Sequence, residues 1–482
     1  MSHYRFYKPK PAGGASSDMA RLTEVTPVAP VGPVLETLSR IDFLRDSMKA
    51  KTARITDCET IASFNWLGER DAHIVVPGCG HETNPSLGPC KLKEDDGVYY
   101  RDRNAAQYPD FPVEPTVESI LRMASRAGAS IATGEIDIFG CGSTLGNLLR
   151  FILGDRLTFR ILIEVLGTTV HFIRREKSPQ ETIPDVRGYG HSFPENYTTW
   201  DPAVRGSSSH QRVIKYRFGG LGCLVRFEGD GYLPDKLGTL ARKSKRGIDE
   251  TRPMEKEDYR SPEELFSSLA VSHETSSSSK SGIKITNAGY VVPQRAIFDL
   301  KTRSVKRKHQ EREIITGEMP RLWLRQIPTL VLAYHSSGFF NDIKIRDVRT
   351  GVANWEKQNA DSLASFAELL GKIVKFARHK QDGRLEITCN EGDNFLLLRA
   401  QTTDIRPAFT PLTGARWRAW LMKGSSDGTE TRKDAQAKHY SFGVSNAPDD
   451  SRVNAEDLYN DEGVSIDYAA CDEECGYCGH CL

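Results

Sequence analysis

The sequence predicts an α/β protein in which helices flank a mixed central sheet. Short segments of alternating character, such as 224–233 and 296–302, are typical of β-strands. Apolar residues recur every three or four positions along 354–379, which indicates a long helix with one buried face. Helix-like and strand-like segments do not alternate regularly along the chain, so we expect a mixed sheet rather than a purely parallel one.

The same periodicities predict the other elements. Apolar spacing predicts helices over 33–51, 116–127 and 321–334. Pro328 predicts a kink or a break in the last of these helices. The remaining predicted strands cover 63–66, 73–77, 135–139, 158–165, 169–174, 216–227, 342–348, 385–389 and 395–401. Those over 158–165 and 169–174 are predicted to form a hairpin with one another.

Length and composition narrow the functional class. The chain has 482 residues, a formal net charge of +1 and 27% charged residues, which allows one large domain or two to three ordinary ones. A net charge near zero argues against a protein that coats nucleic acid non-specifically. Such a net charge still allows local basic patches on the surface. No apolar run reaches the roughly 18–20 residues that span a bilayer, and the cysteines are mostly scattered. We therefore expect an intracellular protein of the cytoplasm or nucleus, without a membrane partner.

Composition also predicts the domain organisation. Residues 1–32 are rich in Pro, Gly, Ala and Ser, which is typical of a tail without fixed structure. An α/β domain is predicted over 33–420, interrupted by a flexible basic and serine-rich insertion over 238–283. A polar linker over 421–470 leads to a small cysteine-rich tail over 471–482.

Two short acidic signatures carry the chemistry that the sequence indicates. One is Glu228-Gly-Asp230, and the other is Asp299-Leu-Lys301. Residues i and i+2 of a strand face the same side, so neighbouring strands would bring three carboxylates and one ammonium together. Clustered carboxylates repel unless a hard divalent cation lies among them. We therefore predict that Glu228, Asp230 and Asp299 hold Mg²⁺ or Mn²⁺, with Lys301 beside the water or phosphoryl oxygen of a phosphodiester hydrolase.

Each signature has an alternative interpretation. A single acidic pair on a strand is also typical of an exposed face or a surface ion pair. The basic run that follows the second signature predicts contacts to the phosphate backbone of RNA or DNA, but a solvated basic face has the same composition. The residues of this basic run are Arg303, Lys306, Arg307 and Lys308.

Four thiols near the C-terminus predict a metal site of another kind. Cys471, Cys475, Cys478 and Cys481 lie within eleven residues, and their close spacing lets consecutive thiolates chelate one soft ion. Tetrahedral Zn²⁺ suits four thiolates. An iron–sulfur cluster and an unligated redox group are the alternatives.

A glycine-rich segment suggests a further activity. Residues 140–146 follow a predicted strand and open a helix, as nucleotide and S-adenosylmethionine loops do. A tight strand-to-helix turn explains the same residues. The segment keeps a methyltransferase among the alternatives.

Longer motifs lie at residues 64–67, 74–78, 187–193, 216–220 and 322–326. Together with both acidic signatures and the cysteine-rich tail, these motifs resemble a fungal family whose members inherit the label geranylgeranyl pyrophosphate synthetase. Prenyl synthases hold magnesium with two Asp-rich motifs of the form DDxxD. Here the pairs Asp95-Asp96 and Asp449-Asp450 lack the later Asp, so the residues disfavour prenyl transfer.

The order of the motifs also resembles the PD-(D/E)XK nucleases, and among them the decapping exoribonucleases that act on incompletely capped RNA 5′ ends. That order is Gly190-His-Ser-Phe193, the two acidic signatures, and Trp323-x-x-Gln326. The resemblance implies a nuclease-like fold, with Gln326 near the nucleotide. It also implies a first carboxylate after Phe193, but Pro194 stands there and Glu195 comes one place late. Asp299 replaces the Glu that relatives usually carry.

The leading hypothesis is a metal-dependent hydrolase of nucleic-acid phosphodiester or 5′-end pyrophosphate bonds. Its main alternative is a catalytically weak module with the same fold and a zinc tail, which binds nucleic acid or a protein partner. The methyltransferase is the third hypothesis.

Overall fold

The structure is a computed structural model that describes residues 29–46, 53–68, 71–83, 89–127, 136–184, 186–238, 277–278 and 282–426. Most of the predicted N-terminal tail, most of the 238–283 insertion, the linker beyond 426 and the cysteine-rich tail lie outside the described residues. The four regions therefore stay a prediction.

The strands are numbered in chain order. They are β1 (Val34–Ser39), β2 (Ile55–Leu67), β3 (His73–Gly78), β4 (Glu82–Thr83), β5 (Cys90–Lys91), β6 (Ile138–Cys141), β7 (Phe159–Leu166), β8 (Thr169–Arg175), β9 (Thr198–Thr199), β10 (Ser207–Phe218), β11 (Leu221–Glu228), β12 (Gly231–Tyr232), β13 (Ser277–Ser278), β14 (Lys284–Gly289), β15 (Ile297–Ser304), β16 (Thr329–Ser336), β17 (Phe339–Asp347), β18 (Arg384–Cys389) and β19 (Phe395–Ala400).

The α-helices are numbered in the same way. They are α1 (Arg40–Asp46), α2 (Arg103–Gln107), α3 (Glu114–Ala127), α4 (Gly142–Leu153), α5 (Ser192–Tyr197), α6 (Glu311–Arg325), α7 (Arg349–Gln358), α8 (Ala360–His379) and α9 (Pro411–Ser426). None of these described helices is long and apolar enough to cross a membrane.

Two mixed sheets organise the described part of the chain. The larger sheet has the order β1-β19-β18-β7-β8-β6-β11-β10-β2-β3-β14-β13, and the smaller has the order β5-β17-β16-β15-β12-β4-β9. Val225 of the larger sheet and Leu332 of the smaller one belong to one buried apolar cluster. The prediction of a mixed α/β architecture with flanking helices is confirmed, and the sheet is divided into two.

The long helix predicted over 354–379 is present as α7 and α8. Its predicted apolar stripe is buried along α8, including Leu363, Phe366 and Leu369. Burying each such side chain contributes about 1.5–3 kcal/mol relative to leaving it exposed. The predicted hairpin is also confirmed, because β7 and β8 pair antiparallel.

Two helix predictions are wrong in part. Within the helix predicted over 33–51, Val34–Ser39 form strand β1, which pairs with β19 at the edge of the larger sheet, and a helix begins only at Arg40. The helix predicted over 321–334 ends at Arg325, and β16 begins at Thr329. Pro328 lies in the short connection between them, as the predicted break requires.

The chain changes sheets between the two halves of the first acidic signature. Glu228 ends β11 in the larger sheet, whereas Gly231 begins β12, which pairs antiparallel with β15 in the smaller sheet. An added Cβ on Gly231 would lie 2.4 Å from Phe298 Cζ, so the close approach of these strands needs a glycine. The two signature strands were predicted to be neighbours. Only β12, which follows Asp230, pairs with the second-signature strand β15, whereas β11, which ends at Glu228, lies in the other sheet.

A parallel crossover completes the frame of the site. β15 and β16 pair in parallel, with Lys301 opposite Leu332, and α6 connects them. Such a connection packs its helix onto the sheet. One face of α6 therefore lies against the strand that carries the second acidic signature.

Candidate functional site

A group of acidic and basic side chains gathers where β12, β15 and α6 meet. We call this group the acid–base cluster. Its members are Asp230, Asp299, Lys301, Arg303, Glu318, Arg321 and Arg325.

Two carboxylates of the cluster converge on one backbone donor. The Leu300 N–H donates to Asp230 Oδ2 at 2.7 Å and to Asp299 Oδ1 at 2.9 Å. A hydrogen bond also joins the Asp230 and Asp299 carboxyl groups. Two acids this close cannot both ionise without strong repulsion, so one of them retains a proton.

The surroundings decide which acid is ionised. Burial and then the charge of Asp299 raise the pKa of Asp230 well above its usual range. Burial also acts to raise the pKa of Asp299, but Arg321, the hydrogen bond from Asp230 and Arg325 outweigh it, and this pKa falls to about 2. At neutral pH, Asp299 therefore carries the negative charge, and Asp230 holds the proton.

Helix α6 supplies the partners of Asp299. Glu318, Arg321 and Arg325 are three and four residues apart, a spacing that places them on one face of the helix. Arg321 Nη2 lies 2.9 Å from Asp299 Oδ1 and 2.8 Å from Glu318 Oε2. Arg325 Nη1 lies 3.6 Å from Asp299 Oδ2. The Arg321 guanidinium thus bridges two buried carboxylates.

Lys301 shares the face of Asp299, as the strand period predicts. Its Nζ lies 3.3 Å from Glu318 Oε1, and the residue is 7% exposed. Burial and then Arg321 lower the pKa of Lys301, while Glu318 opposes them. The Lys301 ammonium is therefore held in the cluster by Glu318.

Glu228 is turned away from the other two acids. Its Oε1 lies 3.1 Å from Arg103 Nη1, and this ion pair is partly exposed. Within the described ranges, no three His, Cys, Asp or Glu side chains are arranged to hold a metal ion. The predicted three-carboxylate cluster is therefore not assembled, because the chain leaves the larger sheet between Glu228 and Asp230.

The remaining pair fits a hard divalent cation. Asp230 and Asp299 offer oxygen ligands on one side of Leu300, and Asp299 Oδ2 is buried without a hydrogen bond. Magnesium is commonly held by one or two carboxylates together with waters and substrate phosphates. Asp230 and Asp299 would hold the ion, and Glu228 would not.

The two other predicted catalytic residues lie apart from the acidic pair. Glu195 is exposed on α5. Gln326 ends α6 in the left-handed conformation with φ 51°, and its Nε2 donates to Trp323 O at 2.6 Å. Gln326 therefore terminates the helix that carries Arg321 and Arg325.

The predicted basic run is divided between the interior and the surface. Arg303 is 6% exposed, and its Nη2 lies 3.9 Å from Glu318 Oε1, so this residue is buried in the acid–base cluster and not on a solvated basic face. Its contact with a phosphate backbone stays a prediction. The other three lie on a 3₁₀ helix over Val305–Gln310. Lys306 is exposed there, Arg307 donates to Gln310, and Lys308 pairs with Asp342 at 2.7 Å.

The glycine-rich segment forms a tight turn from β6 into α4. Cys141 Sγ accepts from Thr144 N at 3.4 Å and caps the helix. None of residues 140–146 lines the cavity of about 350 Å³ that lies beside β7 and β8. An added Cβ on Gly142 would lie 3.1 Å from Arg325 Nε, so this glycine lets the start of α4 approach the acid–base cluster.

Three members of the cluster were not predicted from the sequence. In the sequence, nothing distinguishes these residues from charged side chains on the exposed face of a helix. They are Glu318, Arg321 and Arg325. The signal that identifies them is positional, because their common face belongs to a helix that directly follows an acidic strand and precedes a parallel partner.

The fold and the site define a class: a mixed α/β protein in which a crossover helix closes a buried acid–base cluster around paired carboxylates. The chain belongs to the family described as "Domain of unknown function (DUF8563)", whose model matches residues 41–395. No curated protein matches the chain.

Several solved structures are distantly similar. Rai1 of Scheffersomyces stipitis in complex with (3′-NADP)+ and calcium ion is 11% identical, with a TM-score of 0.49 over 81% of this chain and 99% of that one. Rai1 of Candida albicans in complex with pU5-Mn2+ is 10% identical, with a TM-score of 0.45 over 81% and 100%. K. lactis Dxo1 in complex with manganese is 8% identical, with a TM-score of 0.41 over 77% and 99%. The likeness is distant and assigns no role to any residue of this chain.

Proposed function

We propose that the protein is a divalent-metal-dependent hydrolase of phosphodiester or pyrophosphate bonds at nucleic-acid 5′ ends. One observation supports this proposal above all others. Asp230 and Asp299 share the Leu300 N–H, and Lys301 follows on the same strand face. Paired oxygen ligands beside an ammonium are what hydrolysis of a phosphate ester requires.

Each residue has a defined role in this proposal. Asp230 and Asp299 hold Mg²⁺ or Mn²⁺, which when bound lowers the pKa of a coordinated water and neutralises charge on the phosphoryl oxygens. Lys301 donates to a phosphoryl oxygen and so stabilises the charge that develops there. Asp299 is already ionised, whereas Asp230 releases its proton to become a ligand.

The surface beyond the cluster supports a nucleic-acid substrate. Lys306, Arg307 and Lys308 follow β15 on the 3₁₀ helix at the surface. Cations of this kind contact phosphates and provide affinity without reading the base sequence. The proposal therefore includes RNA and DNA ends, and it leaves the base sequence unspecified.

The test is hydrolysis by matched variants. Purified protein is incubated with 5′-triphosphate and 5′-monophosphate RNA and with the equivalent DNA in Mn²⁺. We expect product from the wild type and from Arg312→Gln, which changes an exposed arginine of α6. Asp230→Asn and Lys301→Gln should each lose at least about a hundredfold of the rate, as expected when an electrostatic catalytic group is removed. Equal product from all four proteins would indicate a contaminant and reject the proposal.

One observation favours a second candidate, a nucleic-acid-binding module without turnover. Arg103 pairs with Glu228, and Arg321 bridges Asp299 and Glu318. These arginines already neutralise the carboxylates that would otherwise attract a metal ion. The same assay separates the candidates. Binding of the RNA end without product in Mg²⁺ or Mn²⁺ would support the module.

We propose separately that the C-terminal thiols of Cys471, Cys475, Cys478 and Cys481 hold one Zn²⁺. Four thiolates at this spacing suit tetrahedral zinc. Elemental analysis of the purified protein should give one zinc per chain, and a Cys475→Ser, Cys478→Ser variant should give none. Iron in place of zinc would support the cluster alternative.

A further inference from the structure

The cavity of about 350 Å³ beside β7 and β8 is separate from the acid–base cluster, and none of the cluster's members lines it. Leu162 and Ile173 line the cavity from the larger sheet. Pro109, Pro112 and Pro407 line it from two loops, and their rings offer flat apolar surfaces. Small-molecule sites commonly measure about 300–1,000 Å³. The cavity is therefore large enough for one small ligand.

One end of the cavity carries positive charge that the protein does not pair. Arg175 ends β8 and Lys177 follows it, and within the described residues neither side chain forms an ion pair. Most lining carboxylates are already engaged. Glu176 pairs with Arg174, Asp110 with Arg406, and Asp102 with Arg226. Glu164 accepts from the Ala408 N–H, and Asp404 is exposed and acts on Arg175 only through a field that water screens.

Two buried polar atoms of the lining residues also lack a partner. Among the residues that the structure describes, Arg175 Nε has no acceptor and Gln401 Oε1 has no donor. Leaving a buried donor or acceptor unsatisfied costs about 1–3 kcal/mol. Gln401 Nε2 donates to Ile163 O at 3.0 Å, which fixes the orientation of the amide. A ligand with an acceptor for Arg175 and a donor for Gln401 would remove both costs.

The pairing of β7 with β8 sets the spacing of these two atoms. Arg175 is opposite Arg160, and the carbonyl that holds Gln401 belongs to Ile163, three residues further along β7. Strand residues rise about 3.4 Å each, so the two anchoring positions are about 10 Å apart. Leu162 lies between them. The cavity thus has a cationic end, an apolar middle and an end with a free amide oxygen.

We propose that this cavity binds a nucleoside 5′-monophosphate. The phosphate dianion lies at Arg175 and Lys177, because guanidinium and ammonium groups form charge-assisted hydrogen bonds with phosphate. An N–H group on the edge of the base donates to Gln401 Oε1. The flat faces of the ligand pack against Leu162 and the ring of Pro407. Each part of the nucleotide therefore meets a group that suits its chemistry.

The lining favours a single nucleotide over a nucleic-acid chain. Arg406 Nη1 lies 2.7 Å from Asp110 Oδ1, and this ion pair joins the two loops that line the cavity. Five carboxylates line the cavity in all, and they would repel the further phosphates of a longer polyanion. The site does not involve Asp230 or Asp299, so it is independent of the hydrolase.

The test is calorimetric titration in EDTA with three probes: adenosine 5′-monophosphate, ribose 5-phosphate and adenosine. The wild type should bind the nucleotide at least about tenfold more tightly than either fragment, which corresponds to about 1.4 kcal/mol, because each fragment lacks one end. Arg175→Gln should weaken nucleotide binding about tenfold and leave the weak binding of adenosine unchanged. Lys177→Gln should act in the same direction.

Two variants outside the cavity are the controls. Arg312→Gln removes an exposed arginine of α6, and Lys301→Gln changes the acid–base cluster. Both should bind the nucleotide as the wild type does. A second readout is thermal melting. Without nucleotide, Arg175→Gln should melt at the temperature of the wild type, because no ion pair is lost, and the nucleotide should raise the melting temperature of the wild type more.

Two results would overturn the proposal directly. One is a wild type that does not bind the nucleotide, and the other is equal nucleotide affinity in the wild type and Arg175→Gln. A loss of binding in Lys301→Gln but not in Arg175→Gln would place the nucleotide at the acid–base cluster and also reject the cavity. Absence of hydrolysis in Mn²⁺ would leave the nucleotide site standing.

Discussion

The inner and outer halves of one basic stretch behave in opposite ways. Lys301 and Arg303 belong to β15 and are buried against Glu318. Lys306 and Lys308 follow within a few residues, on an exposed 3₁₀ helix. In the proposed function, the same residue types serve two purposes: the inner cations act on the reacting phosphate, and the outer ones supply general attraction to a polyanion. The number of basic residues in the sequence does not reveal this division.

The largest expected effect belongs to the acid–base cluster that encloses the inner half. Arg321→Met should lower the free energy of unfolding by about 3–5 kcal/mol, because it leaves the Asp299 and Glu318 carboxylates without their bridging cation. Urea denaturation measures this loss. Lys306→Met on the outer half is the control and should leave the free energy of unfolding unchanged. Similar values for both variants would mean that the bridge does not support the fold.

The two paired acids should respond differently to amidation. Asp230→Asn replaces a protonated carboxyl by an amide of the same shape that still donates to Asp299, so at neutral pH this variant should be at least as stable to unfolding as the wild type. Asp299→Asn removes the charge that holds Arg321 and Arg325, and it should cost about 3 kcal/mol. Urea denaturation at neutral pH compares the stabilities of the two variants. A larger loss in Asp230→Asn than in Asp299→Asn would mean that Asp299, and not Asp230, holds the proton.

The pH dependence of stability sharpens the same distinction. The pKa of Asp230 is raised in the folded protein. Its contribution to the free energy of unfolding is therefore fully present below the unfolded-state pKa of about 3.9, and this contribution is lost as the pH rises through the folded-state pKa. The advantage of the wild type over Asp230→Asn should therefore shrink as the pH rises above about 4. Asp299 has the opposite sign, and its contribution is lost as the pH falls from about 3.9 toward about 2.

The smallest effect belongs to the outer half. Lys306→Gln and Lys308→Gln should weaken binding of 5′-phosphate and 5′-hydroxyl RNA equally. Each should reduce the slope of log affinity against log salt by about 1, as expected for a single phosphate contact. A salt titration by anisotropy checks this. A selective loss for the phosphorylated end would mean that these lysines contact the terminal phosphate and not the phosphate backbone.

Local rules predicted part of the candidate site. The two-residue period of a strand correctly places Asp299 and Lys301 on one face, and the same period places Arg303 there too. Arg303 was instead grouped with the exposed lysines because its charge resembles theirs. For Glu228 the same rule failed, since the chain crosses between sheets at residues 229–231 and the strand period ends there.

Long-range pairing determines what the sequence could not predict. The segment Val34–Ser39 lies in a stretch with helical apolar spacing, yet it forms a strand because it pairs with β19, more than 350 residues away. Likewise, Glu318, Arg321 and Arg325 gain significance only because α6 packs on β15 within a parallel crossover. Periodicity describes which face an element buries, but not which other element that face will meet.

Calorimetric titration with Mn²⁺ in two buffers of different ionisation enthalpy tests the central claim most directly, because it measures ion binding and proton release together. We predict that the wild-type protein binds Mn²⁺ with release of about one proton, which comes from Asp230. Asp230→Asn should lose this binding event, and Arg312→Gln should keep it. Binding of equal affinity and equal proton release in the wild type and Asp230→Asn would contradict the assignment of Asp230 and Asp299 as the metal ligands.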